Sequence, residues 1–255
     1  MDEGISIKYQ FEYMVTELLS MNLSELHKLC NNRFSLKTTL MLFHQLLESF
    51  EHIHAKKYMH LDIKPTNLMM GLGRNSNRLF CIDFNISRSY SDKKTRKHIA
   101  YSTDEPFAGN YCFASPNIHR GLTHSRRDDL ISIAYVVLYF YKGELPWNGY
   151  RKREDSPRQS NLGMEKCRVS NRQLFEGCPA QFEKYMDYVR SLRFNEGADF
   201  TFLKQLVRSA AEDARVDIFD GIYDWTQIVE SIKDEPGVNL FNSFNDVKKV
   251  TEWFK

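Results

Sequence analysis

A mainly α, α+β fold is what this sequence predicts, on three observations. The stretch from Ser35 to Lys56 repeats apolar residues Leu36, Leu40, Phe43, Leu47, Phe50 and Ile53 at spacings of three and four. The run from Leu130 to Tyr141 is apolar almost all round, and two short apolar stretches, 68–70 and 79–82, flank a Gly/Asn/Ser turn at 71–77. The first pattern is one buried stripe of a helix, the second a helix enclosed by other helices, the third a small β-hairpin.

Taken in order, residues 5–19 alternate loosely and end on Met14-Val15 and Leu18-Leu19, which reads as one or two strands leading into a linker. Residues 23–30 form a short helix. Ser35 is placed to cap the long helix, whose end falls near Lys56. The polar string His60 to Asn67 then precedes the hairpin. Residues 149–171 are rich in charge and poor in apolar side chains, so a long surface loop is expected there. Pro179 and Glu196-Gly197 bracket a further helix. Beyond Asp234, Pro236-Gly237 and an amphipathic stretch to Trp253-Phe254 read either as a docking helix or as a fraying end.

Composition narrows the classes of function. Hydrophobic residues at 42% with 13% aromatics exclude a disordered chain, and a net charge of +2 gives no reason to invoke nucleic acid. Five widely spaced cysteines without a C-x-x-C pair argue against a disulfide framework and a zinc site, and suit a reducing, intracellular setting, cytoplasmic or nuclear. The N-terminus lacks the basic then apolar pattern of a signal peptide, and the longest apolar run is too short to span a bilayer, so no membrane association is expected.

The chemistry-bearing string is His60-Leu61-Asp62-Ile63-Lys64-Pro65-Thr66-Asn67, followed by Asp83-Phe84-Asn85. Phosphoryl transfer asks a protein for one carboxylate to orient the attacking hydroxyl, and for an Asp and an Asn to hold magnesium against the phosphates. Asp62, Asp83 and Asn67 supply those groups, and Lys64 can reach the transferred phosphate and steady its charge. Any one of these residues alone reads better as part of a polar loop; the ordered set beside a hairpin carries the weight.

These strings resemble the catalytic loop and metal-binding partner of protein kinases. Further residues narrow the resemblance to the casein kinase 1 family: Arg33-Phe34-Ser35-Leu36-Lys37-Thr38, Ser125-Arg126-Arg127-Asp128-Asp129-Leu130, Leu145-Pro146-Trp147, Ser191-Leu192-Arg193-Phe194, and Ser115-Pro116-Asn117 in place of the usual A-P-E. The resemblance implies a kinase-like C-terminal lobe over 21–233, a remnant strand and hinge over 1–20, and an extension over 234–255. It implies Asp62, Lys64 and Asn67 as catalytic residues, Asn67 and Asp83 as magnesium ligands, and ATP between a hinge edge at Glu17 and Leu19 and a floor of Met69 and Ile82. Asp129 would anchor the catalytic-loop backbone.

The sequence also departs from the family. Only Gly4 precedes the hinge, and the glycine-rich flap, the strand lysine and its helix glutamate have no counterpart among these residues. Leu61 stands where an arginine could pair with an anion, and Glu105 and Cys112 stand at two basic positions that dock a priming phosphate, with Arg88 keeping its charge. Asn110 replaces a threonine near Asp62, where an amide could restore a hydrogen bond. Asn85 replaces the glycine of D-F-G, where asparagine tolerates positive φ best. The expectation is a serine/threonine kinase, acting on protein substrates, that is weak or inactive as this chain alone. The alternative is a pseudokinase scaffold or binding module. With no upper lobe, the hinge strand and apolar cleft floor would be bare, which implies either a covering protein partner or aggregation.

Overall fold

The computed structural model describes residues 2–6, 11–92, 94–148, 158–226 and 228. Two helices organise the molecule. α2 (Leu36–Ala55) starts at Ser35, whose hydroxyl accepts from the Thr38 amide at 3.2 Å, and stops at Lys56, as the sequence predicts. α4 (Arg126–Lys142) is apolar through its middle because it has no solvent face: Leu130, Ile133, Tyr135, Val136, Leu138 and Phe140 are wholly enclosed. α4 ends where Gly143 takes φ +87, and a Cβ there would lie 2.6 Å from the Asn32 carbonyl oxygen.

α2 and α7 (Ala180–Ser191) pack on α4, and α8 (Phe200–Ala214) closes over both. The chain then returns to the start of α2. There Asp224 accepts from the Ser35 amide and hydroxyl, each at 2.6 Å, and Trp225 lies stacked on Tyr223 and against Phe34.

Strands are few and short. β1 (Asp2–Ser6) and β2 (Phe11–Val15) pair with each other antiparallel, so the N-terminal segment holds two strands, within the sequence expectation of one or two. β3 (Tyr58–Met59) pairs with β6 (Arg88–Ser89), and β4 (Leu68–Met70) with β5 (Leu79–Cys81), both antiparallel. The second pair is the expected hairpin. α1 (Leu23–Leu29) opens on a capping box between Asn22 and Glu25.

One expectation fails. The stretch taken for a surface loop contains a helix, α5 (Arg158–Arg168), followed by the short α6 (Asn171–Leu174); residues 149–157 lie outside the described residues. Among the α5 positions whose burial is described, 162–168, the buried ones are Leu162, Gly163 and Lys166. A leucine, a glycine and a lysine leave no hydrophobic period to detect over that stretch. The short α3 (Pro116–His119) lies against α5. The amphipathic stretch to Trp253-Phe254 also falls outside the described residues.

Candidate active site

The string from His60 to Asn67 hangs between β3 and β4, pinned from behind by α4. Asp129, buried in the first turn of α4, accepts from the backbone amides of His60 at 3.0 Å and Leu61 at 2.9 Å. Its Oδ2 also lies 3.0 Å from Nε2 of buried His54 on α2. The Asp129 side chain therefore ties two helices to the loop, the anchoring expected of it. Its carboxylate satisfies two amides that would otherwise be buried without partners.

This grip holds Leu61 at φ +71, a left-handed conformation that costs a branched residue roughly 1–2 kcal/mol. The turn leaves the Asp62 side chain 13% exposed. Its Oδ2 accepts from Lys64 Nζ at 2.6 Å and from Asn67 Nδ2 at 3.0 Å, and its main-chain carbonyl also accepts from Asn67 Nδ2 at 3.0 Å. Asp62 thus touches two of the other three residues singled out for phosphoryl transfer.

The fourth is brought in by backbone pairing. Ile82 donates its amide to the Asn67 carbonyl at 2.9 Å, and His60 Nε2 lies 3.0 Å from the Ile82 carbonyl oxygen. Asp83, the next residue, is exposed at φ +66, with no hydrogen bond or ion pair among the described residues. The left-handed residue of this triplet is Asp83 and not Asn85, so the tolerance of asparagine for positive φ is not called upon. Phe84 lies against the His60 ring at 4.7 Å between centroids and remains 44% exposed.

The four residues expected at a nucleotide are arranged around β4. The Ser20 amide donates to Met70 at 2.8 Å and the Met70 amide to Met21 at 3.2 Å, which lays the segment holding Leu19 along the strand of Met69. Leu19, Met69 and Ile82 are each half-buried. Glu17 is exposed, and its Oε1 accepts from Asn75 Nδ2 in the β4–β5 turn at 2.8 Å. Magnesium is held in such sites by one or two protein oxygens, with phosphates and water supplying the rest. Among the described residues no group of three or more His, Cys, Asp or Glu gathers as a metal site, and the exposed Asp83 carboxylate with the Asn67 amide oxygen suits that sparse ligation. A groove of about 320 Å³ lined by Met41, His44, Gln45, Asn77, Ile218 and Tyr223 includes none of these residues.

The segment after β6 forms the facing wall. Gly109 takes φ +95, and a Cβ on it would stand 2.3 Å from the Leu61 carbonyl oxygen and 3.9 Å from the Asp62 Cα. Only glycine allows that approach. Asn110 bends the chain locally: its Oδ1 accepts from the Cys112 amide at 3.0 Å, so its amide oxygen serves its own turn, and no bond to Asp62 replaces the expected one. Arg88 donates to Glu105 at 3.0 Å, so the retained arginine is matched within the chain.

Residues 4–193 match the family model of the protein kinase domain. The chain belongs to the protein kinase domain family. A kinase domain uses ATP and magnesium to phosphorylate protein, and the mostly helical architecture with few strands agrees with such a fold. What sequence reasoning missed in this kinase is the polar scaffolding: the His54 contact to Asp129, the His60 contact to Ile82, and Asp128 accepting from the Ser115 hydroxyl at 2.6 Å and Asn117 at 2.9 Å. Partners so distant in sequence leave no local pattern.

Proposed function

We propose that this chain is the C-terminal lobe, 21–233, of a casein kinase 1-like serine/threonine kinase, preceded by a hinge remnant. It transfers the γ-phosphoryl group of ATP to protein hydroxyls. The single observation that carries this reading is the contact set of Asp62 with Lys64 and Asn67 beside the segment leading to Asp83. Asp62 takes the acceptor hydroxyl's hydrogen bond and orients its oxygen. Lys64, already 2.6 Å from Asp62, moves its charge onto the transferred phosphoryl oxygens. Asn67 and Asp83 hold magnesium when nucleotide is bound, and the Asn67 bond to Asp62 keeps base and metal ligand in fixed relation.

Glu17 and Leu19 edge the adenine, with Met69 and Ile82 beneath it. The glycine-rich flap motif has no counterpart in this sequence, so the reading assigns the 255-residue chain weak turnover. A misplacement of about 1 Å costs roughly a hundredfold in rate. Labelled ATP, magnesium and casein test it: phosphate incorporation above that of the Asp83→Asn variant is expected, and incorporation no higher than that variant's rejects phosphotransfer by this chain. An in-frame glycine-rich loop and strand lysine encoded upstream of Met1 would mark it as part of a longer active kinase.

A second reading, a pseudokinase scaffold or binding module, is favoured by Leu61 and by the Arg88–Glu105 pair, which leave the family's anion site without a spare charge. It predicts nucleotide or protein binding without turnover. Exposed Val15 at 55% and Leu18 at 66%, close together in the hinge segment, are apolar side chains that a protein partner would cover in either reading. Size-exclusion chromatography tests that part: a stable monomer counts against such a partner.

A further inference from the structure

Lys166 on α5 has no exposed surface at all, although a buried ammonium is among the costliest groups to remove from water. No carboxylate reaches it within ion-pair distance among the described residues. Its Nζ is met by main-chain carbonyls of the wall that faces Asp62. It donates to Tyr111 at 2.6 Å and Ala114 at 2.7 Å, and lies 3.2 Å from Nε2 of His119 on α3. The Tyr135 and Trp147 rings stand 5.2 and 5.1 Å from it, close enough for their faces to favour the charge. Trp147 Nε1 in turn donates to the Cys112 carbonyl at 2.9 Å.

A second feature serves the same reach. Gly163, one helical turn earlier, lies so close to α3 that a Cβ there would stand 2.5 Å from Cβ of His119. A glycine inside a helix costs about 1 kcal/mol against alanine. Here it lets α5 approach near enough for Nζ to span both carbonyls. The residues gripped, 111 and 114, follow closely on Gly109, whose backbone abuts Leu61 and Asp62. A segment held at 111–114 and stopped at 109 has little freedom to move relative to Asp62.

We propose that Lys166, given its reach by Gly163, is a positioning residue that fixes the 109–119 wall so that an acceptor polypeptide lies beside Asp62. This rests on the phosphotransfer reading for what the wall is used for, while the clamp itself stands on the contacts above. It is tested on the full chain with Lys166→Met, which keeps length and loses every donor, and with Gly163→Ala, which displaces α5 without altering Nζ.

Both variants are expected to raise amide hydrogen exchange at 112–114 at least tenfold while leaving the amides of His60 and Leu61 protected. Both are expected to weaken binding of fluorescein-labelled casein about tenfold, with ATP binding unchanged. Unchanged exchange and casein affinity in Lys166→Met overturn the proposal. So does faster exchange spread over the whole chain with both affinities falling together, which marks a merely structural lysine. A wild-type chain that fails to bind casein overturns it too. A wild-type chain that binds casein without turnover overturns the phosphotransfer reading and leaves the positioning result to be decided by the variants.

Discussion

Leu61 and Asp83 both hold left-handed backbone beside the proposed metal site; aspartate is one of the few side chains that tolerate it, whereas the branched Leu61 does not favour it. Such strain persists only where other bonds over-determine it. At Leu61 the restraint is Asp129, so Asp129→Asn, which sets an amide NH₂ against a backbone N–H, is expected to cost about 2 kcal/mol in urea unfolding. Histidine behaviour at the residue scale gives a pH prediction. Burial among Phe34, Tyr139 and Phe140 lowers the His27 pKa from 6.5 to about 4, and burial likewise lowers His44, His98 and His124. Between those values the unfolded chain binds a proton that the folded one refuses. The stabilisation is complete above pH 6.5 and is lost as pH falls toward 4. Urea midpoints at pH 7 and pH 5 check this, and His27→Phe should show a shallower drop than the wild type.

Among the elements, α4 is the one on which the site depends, since its first turn carries Asp128 and Asp129 and its end is shaped by Gly143. Gly143→Ala forces a side chain into positive φ and toward the Asn32 carbonyl, with an expected loss of about 1–2 kcal/mol or more in thermal or urea unfolding. The wall after β6 gives a prediction of a different kind. Glu105 holds Arg88 and also donates its amide to Gly121 at 2.8 Å. Glu105→Gln frees the guanidinium while keeping the side-chain shape. The variant is expected to bind a phosphopeptide more tightly than the wild type by titration calorimetry, by roughly the 0.2–1 kcal/mol that an exposed pair is worth.

At the scale of the whole molecule, residues 223–225 close the helical layer over the start of α2. Trp225 contacts Phe34 and Tyr223 at 5.3 and 4.5 Å between centroids, and Lys37 pairs with Asp220 nearby. Trp225→Ala is expected to cost about 3–5 kcal/mol and to lower the urea midpoint in a single transition, because the cluster it leaves is continuous with the α2–α4 core. Two separated transitions would show that this closure is a unit apart.

The sequence by itself determined α2, α4, the β4–β5 hairpin and the ordered set Asp62, Lys64, Asn67 and Asp83, because helical period, capping and turn chemistry act between residues a few positions apart. Only the tertiary structure decided that α5 is a helix with a lysine in its core, that Asn110 bonds within its own turn, and that Arg88 is taken by Glu105. Those features depend on groups brought together from distant parts of the chain. A buried charge or a paired arginine is set by the partner it meets, and no local pattern of residues carries that information.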